Sequence, residues 1–209
     1  MTVSLPTSSG PGSVARSGGA GLRRAQRHEV FPAQALETAP AAVPLRLVPQ
    51  PEGLLQVHTA PFRGSVGSVL SQALRSAGLG SRVLITQLLK GGVAQGLEAS
   101  PWLCGRLQWL RPAVPSCLAE PATDHPDEVC AAVQEVWEYS RLCLLEGGVD
   151  LMVLDELGLA VELGYLPLAE VLGVLEQRPA HLDVILTGPS MGPELMAMAD
   201  QVTQLRRGV

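Results

Sequence analysis

The segment from Gly53 to Val69, GLLQVHTAPFRGSVGSV, constrains this chain more than any other. An apolar strand, Leu54 to His58, runs into a loop bearing Gly64 and Gly67, and a helical pattern follows. That order is the outline of a phosphate cradle, in which successive backbone N–H groups and a helix N-terminus face an anion. Downstream, DLMVLDEL over Asp150–Leu157 reads as a buried apolar strand ending in Asp155 and Glu156. Ligands of open α/β sheets bind at the carboxyl ends of strands. There the first carboxylate of such a pair typically orders Mg²⁺. Together the two segments point to a nucleotide-binding ancestor.

The rest of the chain fits that frame. Val66–Ala77 reads as a helix ended by Gly78 and Gly80, and Arg82–Leu88 as a second strand. Residues 91–126 are broken by five prolines and read as loops with one short strand, Leu107–Leu110. Asp127–Leu145 is a long helix with acids at its start and Gly147-Gly148 beyond its end. Leu151–Leu154 is apolar throughout, as parallel strands are. Leu168–Gln177 is a helix, Asp183–Thr187 a strand, Pro193–Ala199 a short helix and Val202–Leu205 an edge strand. Alternation of this kind predicts an α/β fold with a mostly parallel sheet and helices on both faces. The strand–loop–helix outline at Gly53–Val69, with the strand-end pair Asp155 and Glu156, makes its expected type P-loop NTPase-like (RecA-like).

Composition narrows the function classes. The 209 residues suffice for one domain with a sizeable core, placed here at 51–209. Residues 1–50, rich in Gly, Ser, Pro and Ala, lack periodicity and read as a disordered tail. Arg16, Arg23, Arg24 and Arg27 give the tail a basic cluster, so a transit peptide and an acid-seeking interaction arm are the alternatives to a plain flexible tail. A net charge of −5 argues against a general nucleic-acid binder. No apolar run reaches the ~18–20 residues of a membrane span. The cysteines, Cys104, Cys117, Cys130 and Cys143, form no C-x-x-C pair, which disfavours a metal site. Dispersed thiols without an apolar leader suggest a reducing, cytoplasmic setting.

The loop departs from a working phosphate cradle in its chemistry. Of 15 basic residues only Lys90 is a lysine, so the loop has none. Pro61 lacks an N–H, and Phe62 stands where a glycine would take a positive φ freely. Ser65 and Val66 occupy the places of Lys and of the Mg²⁺-binding Ser/Thr. Loss of one buried charged contact of that sort costs about 2–5 kcal/mol. Thr59, Arg63, Gly64, Ser65, Gly67 and Ser68 remain as candidate phosphate contacts, and Asp155 and Glu156 as candidate Mg²⁺ ligands. The competing reading is a turn that keeps its ancestral length and binds nothing. His58 ends the first strand and is read as a hydrogen-bonded structural residue; Trp102, Trp109 and Trp137 are read as packing residues.

From about Gly53 to Arg206 the chain resembles the P-loop corrinoid adenosyltransferases of cobalamin biosynthesis. GLLQVHT resembles that family's first strand, and SQALRSAGLGSRVLITQLLKG its first helix and second strand, with Gln87 and Lys90-Gly91. EVWEYSR around Trp137 resembles its long helix. DLMVLDEL, GYLPLAEVLGVLEQRPAHLDVILTG and ADQVTQLR resemble its C-terminal half. The resemblance implies ATP, Mg²⁺ and a corrinoid as ligands, attack of cobalt(I) on the 5′ carbon of ATP, and a homodimer. Ala60 and Phe62 stand where the family has loop glycines, and Ala119 and Pro121 where it has corrinoid-facing aromatics. The expectation is therefore a divergent, catalytically impaired member, with an active adenosyltransferase using Arg63 as the alternative and a protein-interaction module as the second alternative.

Overall fold

A computed structural model describes residues 52–64, 67–93 and 95–206. The tail reading of residues 1–50, and Ser65 and Val66 of the loop, lie outside the described residues. Seven strands form one sheet: β1 (Leu55–Thr59), β2 (Val83–Gln87), β3 (Trp102–Leu103), β4 (Leu107–Leu110), β5 (Leu151–Asp155), β6 (Asp183–Gly188) and β7 (Gln201–Gln204). Their spatial order is β3-β4-β2-β5-β6-β1-β7. Every pairing is parallel except β3 with β4. The mostly parallel α/β sheet expected from the alternation is present, and Val202 does lie on an edge strand.

The helices are α1 (Gly67–Gly78), α2 (Asp127–Leu145), α3 (Leu157–Glu162), α4 (Leu168–Glu176) and α5 (Pro193–Met198). Side chains alternate across strands, so each strand feeds two cores. Val69, Ala73 and Ala77 of α1 bury against Val83, Ile85, Val153 and Ile185 on one face. Leu84, Met152, Leu154 and Leu186 point to the other face, where α2 supplies Val133, Val136 and Trp137, and α4 supplies Val171 and Leu175. Each fully buried aliphatic side chain is worth about 1.5–3 kcal/mol, so the β2–β5–β6 centre anchors the molecule.

Helix α2 shows how the sequence writes its own boundaries. Asp127 and Glu128 sit in its first turn, where carboxylates favour the positive end of the helix dipole. Past its end Gly147 takes φ +64°, and the Gly148 N–H returns to the Cys143 carbonyl, satisfying an orphan acceptor. Two elements escaped the pattern. β3 is only two residues long and forms through a tight hairpin, and α3 follows β5 directly. Trp102 is 60% exposed, so of the three tryptophans it is not a packing residue; Trp137 is completely buried.

Candidate active site

The parallel register places one polar side chain per strand in a row at the carboxyl end of the sheet. Gln87 of β2 aligns with Asp155 of β5, Asp155 with Thr187 of β6, Thr187 with His58 of β1, and His58 with Thr203 of β7. Ile85, Val153 and Ile185 stand two residues earlier and face α1. With period two, the polar row lies on that same face, just beyond the apolar core.

Asp155 is 1% exposed and organises the centre of this row. Its Oδ1 accepts from Thr187 Oγ1 at 2.8 Å. Its Oδ2 accepts from Gln87 Nε2 and from Lys90 Nζ, both at 2.8 Å. Glu156 is equally buried. Arg63 reaches it from the β1–α1 loop with a fork: Nε to Oε1 and Nη2 to Oε2, both at 2.5 Å. The remaining Arg63 nitrogen, Nη1, donates to the Leu118 carbonyl at 2.8 Å. The hydrogen bonding that Arg63 donates to Glu156 raises the Arg63 pKa, outweighing the burial that would lower it.

Backbone conformation fixes Glu156 in this role. It takes φ +63°, ψ +25°, a left-handed conformation uncommon for a side-chain-bearing residue. Its N–H donates to the Thr187 carbonyl at 2.7 Å. Gly188 makes this approach feasible: a Cβ there would stand 2.9 Å from the Glu156 Cα, and Gly188 itself has φ +122°. Strain of this kind concentrates at functional sites.

The candidate residues of the sequence are thus only partly brought together. Arg63, Asp155 and Glu156 converge, but the strand-end carboxylates bind the chain's own cations, Arg63 and Lys90. Every oxygen of the two carboxylates is already an acceptor. Among the described residues no group of three His, Cys, Asp or Glu side chains is placed to hold a metal ion. In this arrangement the pair does not fit a divalent cation. Thr59 lies two strands away from Asp155 and lines a separate cavity of about 440 Å³ with Ala60, Pro61, Met191, Gln204 and Arg206. Gly64 takes φ +87°, as a cradle glycine would, whereas Gly67 and Ser68 begin α1. His58 was expected to have a hydrogen-bond partner; its Nε2 is buried with none among the described residues, and burial lowers its pKa.

Lys90, Thr187 and Arg111 were missed as site residues. Lys90 carried a signal, since it is the only lysine and follows a buried strand. Arg111, just past β4, donates its Nε to Gln87 Oε1 at 2.9 Å and stacks over Trp109 with 5.6 Å to the ring centroid. Nothing in the local sequence marks that contact.

The match to known proteins covers this whole unit. The sequence model described as ATP:corrinoid adenosyltransferase BtuR/CobO/CobP matches residues 51–208. The chain belongs to the ATP:corrinoid adenosyltransferase family. It is 31% identical over 159 residues to the corrinoid adenosyltransferase CobA of Salmonella typhimurium, covering 74% of this chain and 76% of that one. It is 30% identical over 159 residues to the corrinoid adenosyltransferase of Escherichia coli K12, with the same coverage. The corrinoid adenosyltransferase of Pseudomonas aeruginosa is 29% identical over 163 residues, covering 73% of this chain and 74% of the relative. The fold and the family expected from the sequence are both borne out. No helix among the described residues is long and apolar enough to cross a membrane.

Proposed function

We propose that this chain is a catalytically impaired corrinoid adenosyltransferase homologue that keeps a weakened nucleotide or corrinoid site and serves as a binding or regulatory module. The observation that carries this reading is the state of Arg63. It is the only cation between β1 and α1 among the described residues, and all three of its nitrogens are committed to Glu156 and the Leu118 carbonyl. Triphosphate release in an adenosyl transfer requires positive charge held at the departing phosphates, and electrostatic terms of that kind dominate many rate enhancements. Here the loop's charge is cancelled within the protein. ATP and a corrinoid are the substrates named for the family; this chain would supply position and hydrogen bonds, while cobalt would supply the nucleophile.

Turnover of reduced corrinoid with Mg-ATP tests the reading, run beside the Escherichia coli relative. The expected result is turnover at least a hundredfold below the relative, with weak saturable heat when Mg-ATP is titrated with or without corrinoid. Turnover near the ~10 s⁻¹ typical of enzymes would sink it. No heat with either ligand would make the loop a relic and turn the search to protein partners. A second reading, an active enzyme, has one observation in its favour: the Arg63 side chain is 31% exposed and can swing to an incoming anion. Ser65 and Ser68 would then contact phosphate, Glu156 would be freed to face Mg²⁺, and Asp155 would join it once Lys90 also turned away. Under that reading Arg63→Ala abolishes ATP binding; unchanged affinity counts against it.

A further inference from the structure

We infer that Arg111 forms a phosphate-binding subsite at the carboxyl end of β4, shifted across the sheet from the β1–α1 loop. The inference rests on the proposed retention of a ligand site, and names where that site holds its anion. The charge balance of the sheet end comes first. Arg63 pairs with Glu156 and Lys90 pairs with Asp155, so these four groups cancel. Arg111 is the cation left over in the connected network. It has no acidic partner, and its Nη1 and Nη2 make no hydrogen bond or ion pair among the described residues.

Arg111 is also held in place before any ligand arrives. Gln87 Oε1 accepts from both Arg111 Nε and Trp109 Nε1, at 2.9 and 2.8 Å. Gln87 Nε2 donates to Asp155 Oδ2. This pattern fixes the amide's orientation, because a flipped Gln87 would set its NH₂ against two donors. The guanidinium lies over the Trp109 ring and is half-buried. Stacking and one hydrogen bond remove most of its freedom, and the two terminal nitrogens remain as a fork. A planar fork of that kind matches two oxygens of a phosphate. The position is the end of the sheet where α/β proteins take ligands, and Arg111 is joined through Gln87 to Asp155 at its centre. The phosphate can come from a nucleotide or from the phosphodiester of a corrinoid that carries one.

Trp109 is a built-in reporter, since its indole N–H shares Gln87 Oε1 with Arg111. The test is a proton–nitrogen NMR titration of the three indole signals with inorganic pyrophosphate, ATP, cobalamin and cobinamide, which lacks the phosphodiester. The expected result is a saturable shift of the Trp109 signal with those of Trp102 and Trp137 unmoved, and at least a tenfold weaker affinity in Arg111→Gln. Arg111→Lys, which keeps the charge and loses the fork, should fall between. A Trp137 signal unchanged from the parent reports that the variants are folded. Response to ATP supports the nucleotide as the source; response to cobalamin without cobinamide supports the corrinoid. No shift with any probe, the same shift in Arg111→Gln, or a response to pyrophosphate alone as an adventitious anion would each overturn the inference. Rapid adenosyl transfer would instead overturn the impaired-enzyme reading and leave the Trp109 result standing.

Discussion

Replacing Arg63 by alanine should destabilise this protein more than any other single surface-accessible change at the sheet end. Glu156 is 1% exposed, and both of its oxygens depend on the Arg63 fork. Removing one partner of a buried ion pair costs ~3–5 kcal/mol, because a charge stays behind in the protein interior. Arg63 is 31% exposed, so water enters the space it leaves and moderates the penalty. The loss of the Nη1 bond to the Leu118 carbonyl adds a smaller amount. The expected total is about 2–3 kcal/mol. Glu156→Gln should cost about 1 kcal/mol, since the released guanidinium can turn to water. The double variant should be less destabilised than the sum of the singles, because no buried charge is stranded. Urea unfolding of all four proteins measures this, read as midpoint shifts at constant slope. A cost below about 1 kcal/mol for Arg63→Ala, or strict additivity, would refute the account of Glu156 as a buried carboxylate dependent on Arg63.

Thr187→Val keeps the shape of β6 and strips the donor from Asp155 Oδ1, so it should cost about 1–3 kcal/mol in the same assay; a neutral result would mean water replaces the hydroxyl. Gly188→Ala puts a Cβ 2.9 Å from the Glu156 Cα at φ +122°, and should cost at least about 1–3 kcal/mol by combined strain and collision; an unchanged melting temperature would count against the close approach. His58 gives a pH signature. Burial lowers its folded pKa below the unfolded value near ~6.5. Between the two values the unfolded chain binds more protons, so stability falls as pH drops through that window. His58→Gln should flatten that part of the stability–pH curve; an identical curve in the variant would remove His58 as its cause.

By itself the sequence determined which segments become strands and helices. Leu151–Asp155 is a buried parallel strand because it has no polar residue until its end, and α2 starts at Asp127 and stops before Gly147 for reasons written in the local residues. The missing lysine of the loop was equally plain, since a residue type absent from a segment needs no coordinates. What the sequence did not contain was pairing between distant groups. Arg63 and Glu156 are 93 positions apart, and their fork forms only once β1 and β5 are laid two strands from each other in the order β5-β6-β1. The carboxylates that looked free for Mg²⁺ are therefore engaged by the chain's own cations. Arg111 bonds Gln87 across 24 positions, after a connection broken by Pro101 and several glycines that has no periodicity to read. Local propensity and hydrophobic period are properties of neighbouring residues, so sequence carries them. Charge balance at the sheet end is a property of which side chains meet, and only the tertiary arrangement decides it.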